Sequence, residues 1–393
     1  MAAEGGRLEL VKWLLENGSS LDERSNDGET CLLRAAFGGK LDAVKWFVKN
    51  GSSLDETSDN GDTCLFKAVS GGSIPLVEWL IENGCSINER NGRKNTCLLR
   101  AAFKGHLDVM KWLLAHGSSL NEKNKYGITP MLMAAEGGRI NVIEWLIKQG
   151  CSLDDRNVDG DTCILRAAFG GSLTGIKWFL QHGSSLTERT TKGNTCLLYA
   201  AYKGHFEVVK WLVEQGCSIH ETNDYGTNVI LKAAYGGNAD ILKWLVEQGA
   251  NIHSKNNSDF TCLLSAASNG HLKAMKWLVA NGCSVSEKSK YFDTCITLSA
   301  ELGNLETIKW LVENGCSLNE MSVDGSCIMI AARNKKLHAV QWMLSNGASI
   351  EENMMYDDLG NEVPAKQSCA EILKENGLFD DLKRIFNTKS GRK

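Results

Sequence analysis

Apolar residues return along this chain in two alternating short blocks, each with helical spacing. In one copy Leu107, Val109, Met110, Trp112, Leu113 and Leu114 cover all of a helix from about His106 to His116 except one stripe, Asp108, Lys111 and Ala115. A helix this apolar needs neighbours on both sides. The block before it, Cys97-Leu98-Leu99 with Ala101 and Ala102, predicts a shorter first helix. The Thr96 hydroxyl caps its start, Gly105 supplies the positive φ that ends it, and Gly117 closes the second helix. Ala101 and Ala102 are small enough for a neighbouring helix to come close.

Displaced by 33 residues, the chain falls on itself, and all 11 tryptophans share one column: Trp13, Trp46, Trp79, Trp112, Trp145, Trp178, Trp211, Trp244, Trp277, Trp310 and Trp342. Self-similarity at a fixed period of this size predicts a stacked solenoid. A partial repeat occupies 1–24, where Ala2-Ala3-Glu4-Gly5-Gly6-Arg7 copies Ala134 to Arg139 and the start of a first helix is missing. This reads as a worn cap or as the edge of a longer protein. Ten complete repeats follow over 25–353. Lys94, Asp259 and Phe292 replace the usual turn glycine, so those tips are expected to turn differently. The tenth repeat is one residue short and carries Lys335 where a helix-ending glycine belongs; it is expected to be the least regular. Over 354–393 the period breaks through Pro364, resumes at Ser368-Cys369 and Gly377, and ends in a second helix, Leu378 to Phe386, and a disordered basic tail from Thr388.

The pattern closely resembles the ankyrin repeat, whose consensus runs Asp-x-x-Gly, Thr-Pro-Leu-His-x-Ala-Ala-x-x-Gly-His, Val-Val-x-x-Leu-Leu-x-x-Gly-Ala. Thr129, Pro130, Ala134 and Ala135 match it in one copy, and Gly204, His205, Val208, Val209, Gly249 and Ala250 match it elsewhere. The proline survives only as Pro130 and is mostly cysteine; the histidine has become Leu33, Leu99, Leu165 or Leu198. The resemblance implies an all-α solenoid of stacked helix-turn-helix units joined by hairpin-like loops, acting as a non-enzymatic protein-binding scaffold. It equally allows the interaction region of a larger protein, such as a ubiquitin-ligase adaptor, kinase or channel.

Composition narrows this further. With 43 basic and 47 acidic residues the chain lacks a general nucleic-acid footprint. No apolar run reaches the ~18 residues of a membrane span, and Met1 to Arg7 lacks the apolar core of a signal peptide. The expected setting is the cytoplasm, with the nucleus also open to it. The 14 cysteines suggest disulfides or zinc until their columns are seen. One holds Cys31, Cys64, Cys97, Cys163, Cys196, Cys262, Cys295 and Cys327; another holds Cys85, Cys151, Cys217, Cys283 and Cys316. Equivalent positions sit one helix-packing distance apart, ~8–10 Å, too far for a disulfide, and no Cys-x-x-Cys pair exists. Free thiols are expected. No histidine pairing, placed nucleophile or phosphate loop points to a metal, a cofactor or catalysis.

Two columns remain. The tryptophans are expected to fill core space between repeats, where Trp178→Ala would cost ~3–5 kcal/mol. On the first helix, three residues apart and hence on one face, lie Arg34 and Phe37, Arg100 and Phe103, Arg166 and Phe169, Tyr199 and Tyr202, Lys232 and Tyr235. The resemblance puts this second column on the concave surface that ankyrin proteins commonly use. Two readings stand for it: rings that cover neighbouring repeats, or an apolar groove with basic teeth. The groove would suit an extended or helical protein segment bearing acidic residues, bound by a monomer. The side-by-side charges Glu23-Arg24, Glu89-Arg90, Glu122-Lys123 and Glu188-Arg189 are expected to form a solvated ladder worth little.

Overall fold

A computed structural model describes residues 1–349, 354–356, 362–364, 367 and 369–377 of the chain. They are almost wholly helical and belong to two compact units, Met1–Thr191 and Lys192 onward. The first unit opens with the lone second helix Leu8–Glu16 and continues with five helix pairs, from Cys31–Phe37 and Leu41–Lys49 to Cys163–Gly170 and Leu173–Gln181. The second contains five more pairs, from Cys196–Lys203 and Phe206–Glu214 to Cys327–Arg333 and Leu337–Ser345. Within each unit first helices stack on first helices, giving an all-α solenoid.

Local chemistry accounts for these elements. The capping threonine hydroxyl accepts a bond from the backbone N–H three residues on, as Thr96 does from Leu99 at 3.3 Å. It also donates across its own repeat to a carboxylate 26 residues later: Thr96 to Glu122, Thr129 to Asp155 at 2.7 Å, Thr261 to Glu287 at 2.5 Å. A second oxygen of that carboxylate often accepts the N–H three residues before it, as from Ser119 to Glu122 at 2.8 Å. One side chain thus ties the start of a repeat to its end. The solvated charge ladder is corrected in part: Glu89 and Glu122 hold capping threonines, and Arg90 donates to the Lys94 and Lys123 carbonyls instead of pairing with Glu89.

Packing around the first helices is dry. Leu98, Leu99, Ala101 and Ala102 are fully buried, as are Val109, Met110 and Leu113 on the inner face of the second helix, or within 1% of it. Glycines at the ends of several first helices meet the neighbouring backbone closely. A Cβ on Gly71 would lie 2.1 Å from the Phe37 carbonyl, and one on Gly137 would lie 2.1 Å from the Phe103 carbonyl. No side chain fits where one repeat's backbone lies that close to the next.

The expected turn changes at Lys94, Asp259 and Phe292 are not found. These residues adopt φ of 58°, 57° and 60°, the region used by Gly61 (71°) and Gly127 (73°), and Lys335 does the same at 57°. The bond across the turn is also kept: Lys94 N to Asn91 O at 2.7 Å, against Gly61 N to Ser58 O at 2.8 Å. Each repeat's tip is clamped by its neighbours, so the stack imposes the turn on whatever residue occupies it. The tenth repeat departs at its tip, a tight hairpin pairing Met321–Ser322 with Gly325–Ser326; its Ser326 cap makes no side-chain bond, as is also true of Thr162. Its helices keep the lengths seen elsewhere. Beyond it, the stretch expected to be irregular contains an antiparallel pairing of Met354–Tyr356 with Glu362–Pro364. A first helix, Cys369–Glu375, then resumes before Gly377 at φ 71°. The expected final helix and basic tail lie outside the described residues.

The tryptophans need a larger correction. None is buried: Trp13 is 56% exposed and the other ten are half-buried. They lie flat along the outer side of the second helices against the preceding repeat. Trp112 Nε1 donates to Glu78 at 2.9 Å, the Trp244 ring meets Phe206 edge-on at 5.9 Å, and Trp112 and Trp178 stack on His116 and His182 at 3.7 Å. The column was read as core because tryptophan is apolar; its size lets it bridge two repeats while one face stays wet.

Two measurements follow. Trp178→Ala should lower stability by about 2–3 kcal/mol, less than the 3–5 of a fully buried ring, because part of its surface is already in water. Lys94→Gly should raise the denaturation midpoint, by about 0.5 kcal/mol once the flexibility of glycine offsets relief of the left-handed strain, and Lys94→Val should lower it. Urea titrations of the three proteins beside the wild type read both effects.

Candidate functional site

The first-helix faces carry the residues singled out from sequence. In the first unit Phe37, Phe103 and Phe169 are half-buried, each with part of its ring open to solvent. The Lys104 ammonium sits 5.9 Å from the Phe37 ring and 5.7 Å from Phe103, bridging two repeats. Burial, then Arg100, Arg139 and Lys67, push its pKa below the usual lysine range. In the second unit Tyr199 and Tyr202 are half-buried, Tyr235 is 41% exposed, and the Tyr202 and Tyr235 rings lie 5.5 Å apart.

The basic teeth are not free. Arg34 Nε contacts Glu29 at 2.5 Å. Lys67 lies between Glu29 at 2.5 Å and Asp62 at 3.2 Å. Arg100 reaches back 38 residues to the same Asp62 oxygen at 2.8 Å, while Asn91 donates to its other oxygen at 2.9 Å. Arg166 pairs with Asp161 at 3.1 Å and with Glu136, and is itself buried. The image of a cationic groove is corrected accordingly: these guanidinium groups neutralise carboxylates of their own chain, and a partner would have to break buried pairs to reach them. Burial alone would raise the Asp62 pKa, but Asn91, Arg100 and Lys67 outweigh it and hold the carboxyl below its usual value. For Arg166 burial opposes the charge, and Glu136 and Asp161 prevail.

Sequence reasoning missed the acidic half of this network, although a signal was present. Glu29 and Arg34, Asp62 and Lys67, and Asp161 and Arg166 are all five residues apart in the repeat. The rule fails three times, first at Arg100, which has Asn95 five residues before it. Asp293 faces Leu298 five residues on; burial raises its pKa, Ser289 donates a bond that opposes this, and Asp324 and Glu301 add to the rise. Lys232 faces Thr227.

The 13 described cysteines are free. Burial pushes thiols such as Cys64, Cys97 and Cys163 up, and brings Cys85 and Cys217 to about 11, so these stay protonated at neutral pH and are poor nucleophiles. One group has the makings of a metal site: His253, Cys283 and Glu287 hold ligand atoms within 4.8 Å of one another. Both Glu287 oxygens are already engaged, by Thr261 and by Ser284 N–H, as in the same column of other repeats. The Cys283 thiol is pushed up to about 11, first by burial and then by Glu287. Repeat packing accounts for the group. No helix among the described residues is long and apolar enough to cross a membrane.

A family model described as ankyrin repeats, in three copies, matches the chain over residues 1–91, 72–157, 98–190, 149–223, 197–289 and 263–354. No curated protein matches it.

The ion-pair network has a pH signature. Asp62→Asn should destabilise the protein by about 2–4 kcal/mol at neutral pH, since it leaves Lys67 with one partner and Arg100 with none. Because the folded pKa is depressed, the contribution of Asp62 is fully present above the unfolded value, 3.8, and is lost as pH falls through the lower folded value. Wild-type and variant stabilities should therefore run parallel from neutral pH to mildly acid pH and converge below it, as followed by urea unfolding at a series of pH values.

Proposed function

The chain belongs to the ankyrin-repeat family, and from that premise we propose that it is a non-enzymatic scaffold holding a protein partner on its first-helix faces and hairpin tips. Members of the family are protein-interaction modules. One observation carries the reading for this chain: the second column of the first helix is aromatic in only some repeats. Phe37, Phe103, Phe169, Tyr202 and Tyr235 alternate with Ser70, Glu136, Ser268 and Glu301 at equivalent positions. Stacking is satisfied by serine or glutamate there, so the rings are not demanded by the fold. Half-open aromatic side chains on a rigid face are the groups that most often anchor an interface. The expected partner is a protein segment bound by shape and apolar contact more than by the arginines. The near-neutral charge suits neither nucleic acid nor a membrane surface.

The test separates this face from the outer one. Phe103→Ala with Phe169→Ala in the first unit, and Tyr202→Ala with Tyr235→Ala in the second, should each reduce partner recovery at least about tenfold in quantitative affinity capture. Circular dichroism should stay near wild type. A variant of the outer stripe, altered at Asp108, Lys111 and Lys210, should retain the partner. The opposite pattern would move the binding surface to the outer stripe and leave the aromatic column as packing.

A further inference from the structure

Along the first helices a cation at the Arg34 position is always answered by a carboxylate of the same chain, with one exception among the described residues. The answering positions are three. One is five residues earlier, filled by Glu29, Asp62 and Asp161 for Arg34, Lys67 and Arg166. One is 38 residues earlier, filled by Glu29 for Lys67 and Asp62 for Arg100. The last is 30 residues earlier, filled by Glu4 for Arg34 and Glu136 for Arg166. For Lys232 the same places hold Thr227, Asn194 and Tyr202. All three are neutral.

Lys232 opens instead onto a hollow of about 330 Å³ whose walls include Tyr225, Tyr235, Phe260, Tyr291 and Asn256. Tyr225 and Tyr291 project from hairpin tips, 54% and 51% exposed. The lysine itself is half-buried, and burial pushes its pKa below the usual lysine range with no opposing charge. A desolvated ammonium without a counter-ion is costly, and it is retained where something supplies one.

We propose that this hollow receives the carboxylate of a glutamate or aspartate side chain on the partner, with an adjacent apolar side chain of that segment lying against the tyrosines. A single lysine offers one point charge and three donors, which matches one carboxylate; a phosphate carries nearly twice the charge and is met by arginine forks. The tyrosine walls explain why the acid should stand beside an apolar residue: the rings bury area without competing for its charge. The proposal rests on the scaffold reading above and adds the chemistry of one contact.

The experiment uses the full chain with reductively 13C-methylated lysines, the Lys232 signal being identified by its absence in Lys232→Met. The probes are N-acetyl-Leu-Glu-Leu-amide, its glutamine counterpart and its phosphoserine counterpart. The glutamate probe should shift the Lys232 signal, raise its titration midpoint, and bind at least about tenfold tighter than the glutamine probe. Thr227→Asp, which places in this repeat the carboxylate that Lys67 and Arg166 already have, should raise the Lys232 midpoint by itself and abolish the response to the probe. An unmoved Lys232 signal, equal binding of the glutamine probe, or tighter binding of the phosphoserine probe would overturn the proposal. Because the readout is one lysine in a folded protein, it can fail while the aromatic variants still lose their partner, and it can succeed if they do not.

Discussion

In several repeats the end of a first helix lies closer to its neighbour's backbone than a side chain would permit, and other features sit around that closeness. Gly71 stands where a methyl group would strike the Phe37 carbonyl, and Ala101 and Ala102 are fully buried. Helix starts buried this deeply need hydrogen-bond partners inside the protein. The threonine caps and the carboxylates that hold them meet that need. So does the left-handed turn at each tip, which persists at Lys94 and Phe292 although neither residue favours it. Phenylalanines such as Phe66 still fit inside the stack, whereas the tryptophans stay partly exposed on the second helices and reach the preceding repeat from there.

Charge follows a second rule on the opposite face. Ion pairs there are internal, shared between repeats, and partly or wholly removed from water. Such pairs add little net stability against apolar replacements, yet breaking one is expensive. They are therefore better understood as devices that fix which repeat follows which. This also changes what a partner can read. Arg166, satisfied by its own chain, is buried with its flat face against the Phe169 ring at 4.5 Å, so a partner meets the ring and not the charge. The aromatic column and the unanswered lysine supply the distinguishing features.

Much of this was legible in the sequence because repetition averages out local ambiguity. The period, the threonine caps, the glycine ends such as Gly105, and the family itself come from columns that agree in most copies. What could not be read were properties set between copies. The partner of Arg100 lies 38 residues away, beyond the repeat that contains it. The exposure of Trp178 depends on where the neighbouring helix ends, not on the hydropathy of its own helix. The turn at Lys94 is dictated by the stack, whereas residue preference argued against it. The aromatic column was found by sequence and is placed on the open side of the first helices. Its arginines were misread as available because their carboxylates occupy a separate column of mixed Glu, Asp, Asn, Ile, Thr and Phe.

The sharing of Asp62 between Lys67 and Arg100 bears on how such a chain can lengthen. A duplication of residues 58–90 copies an acid together with its base, and both the second Lys67 and Arg100 still find a carboxylate 38 residues behind them. A duplication of 91–123 does not: the second Arg100 would look back to Asn95 and five residues back to another asparagine. Repeats that look interchangeable by sequence are thus unequal as units of inheritance. Some can be copied alone, and others only with the neighbour that answers their charge.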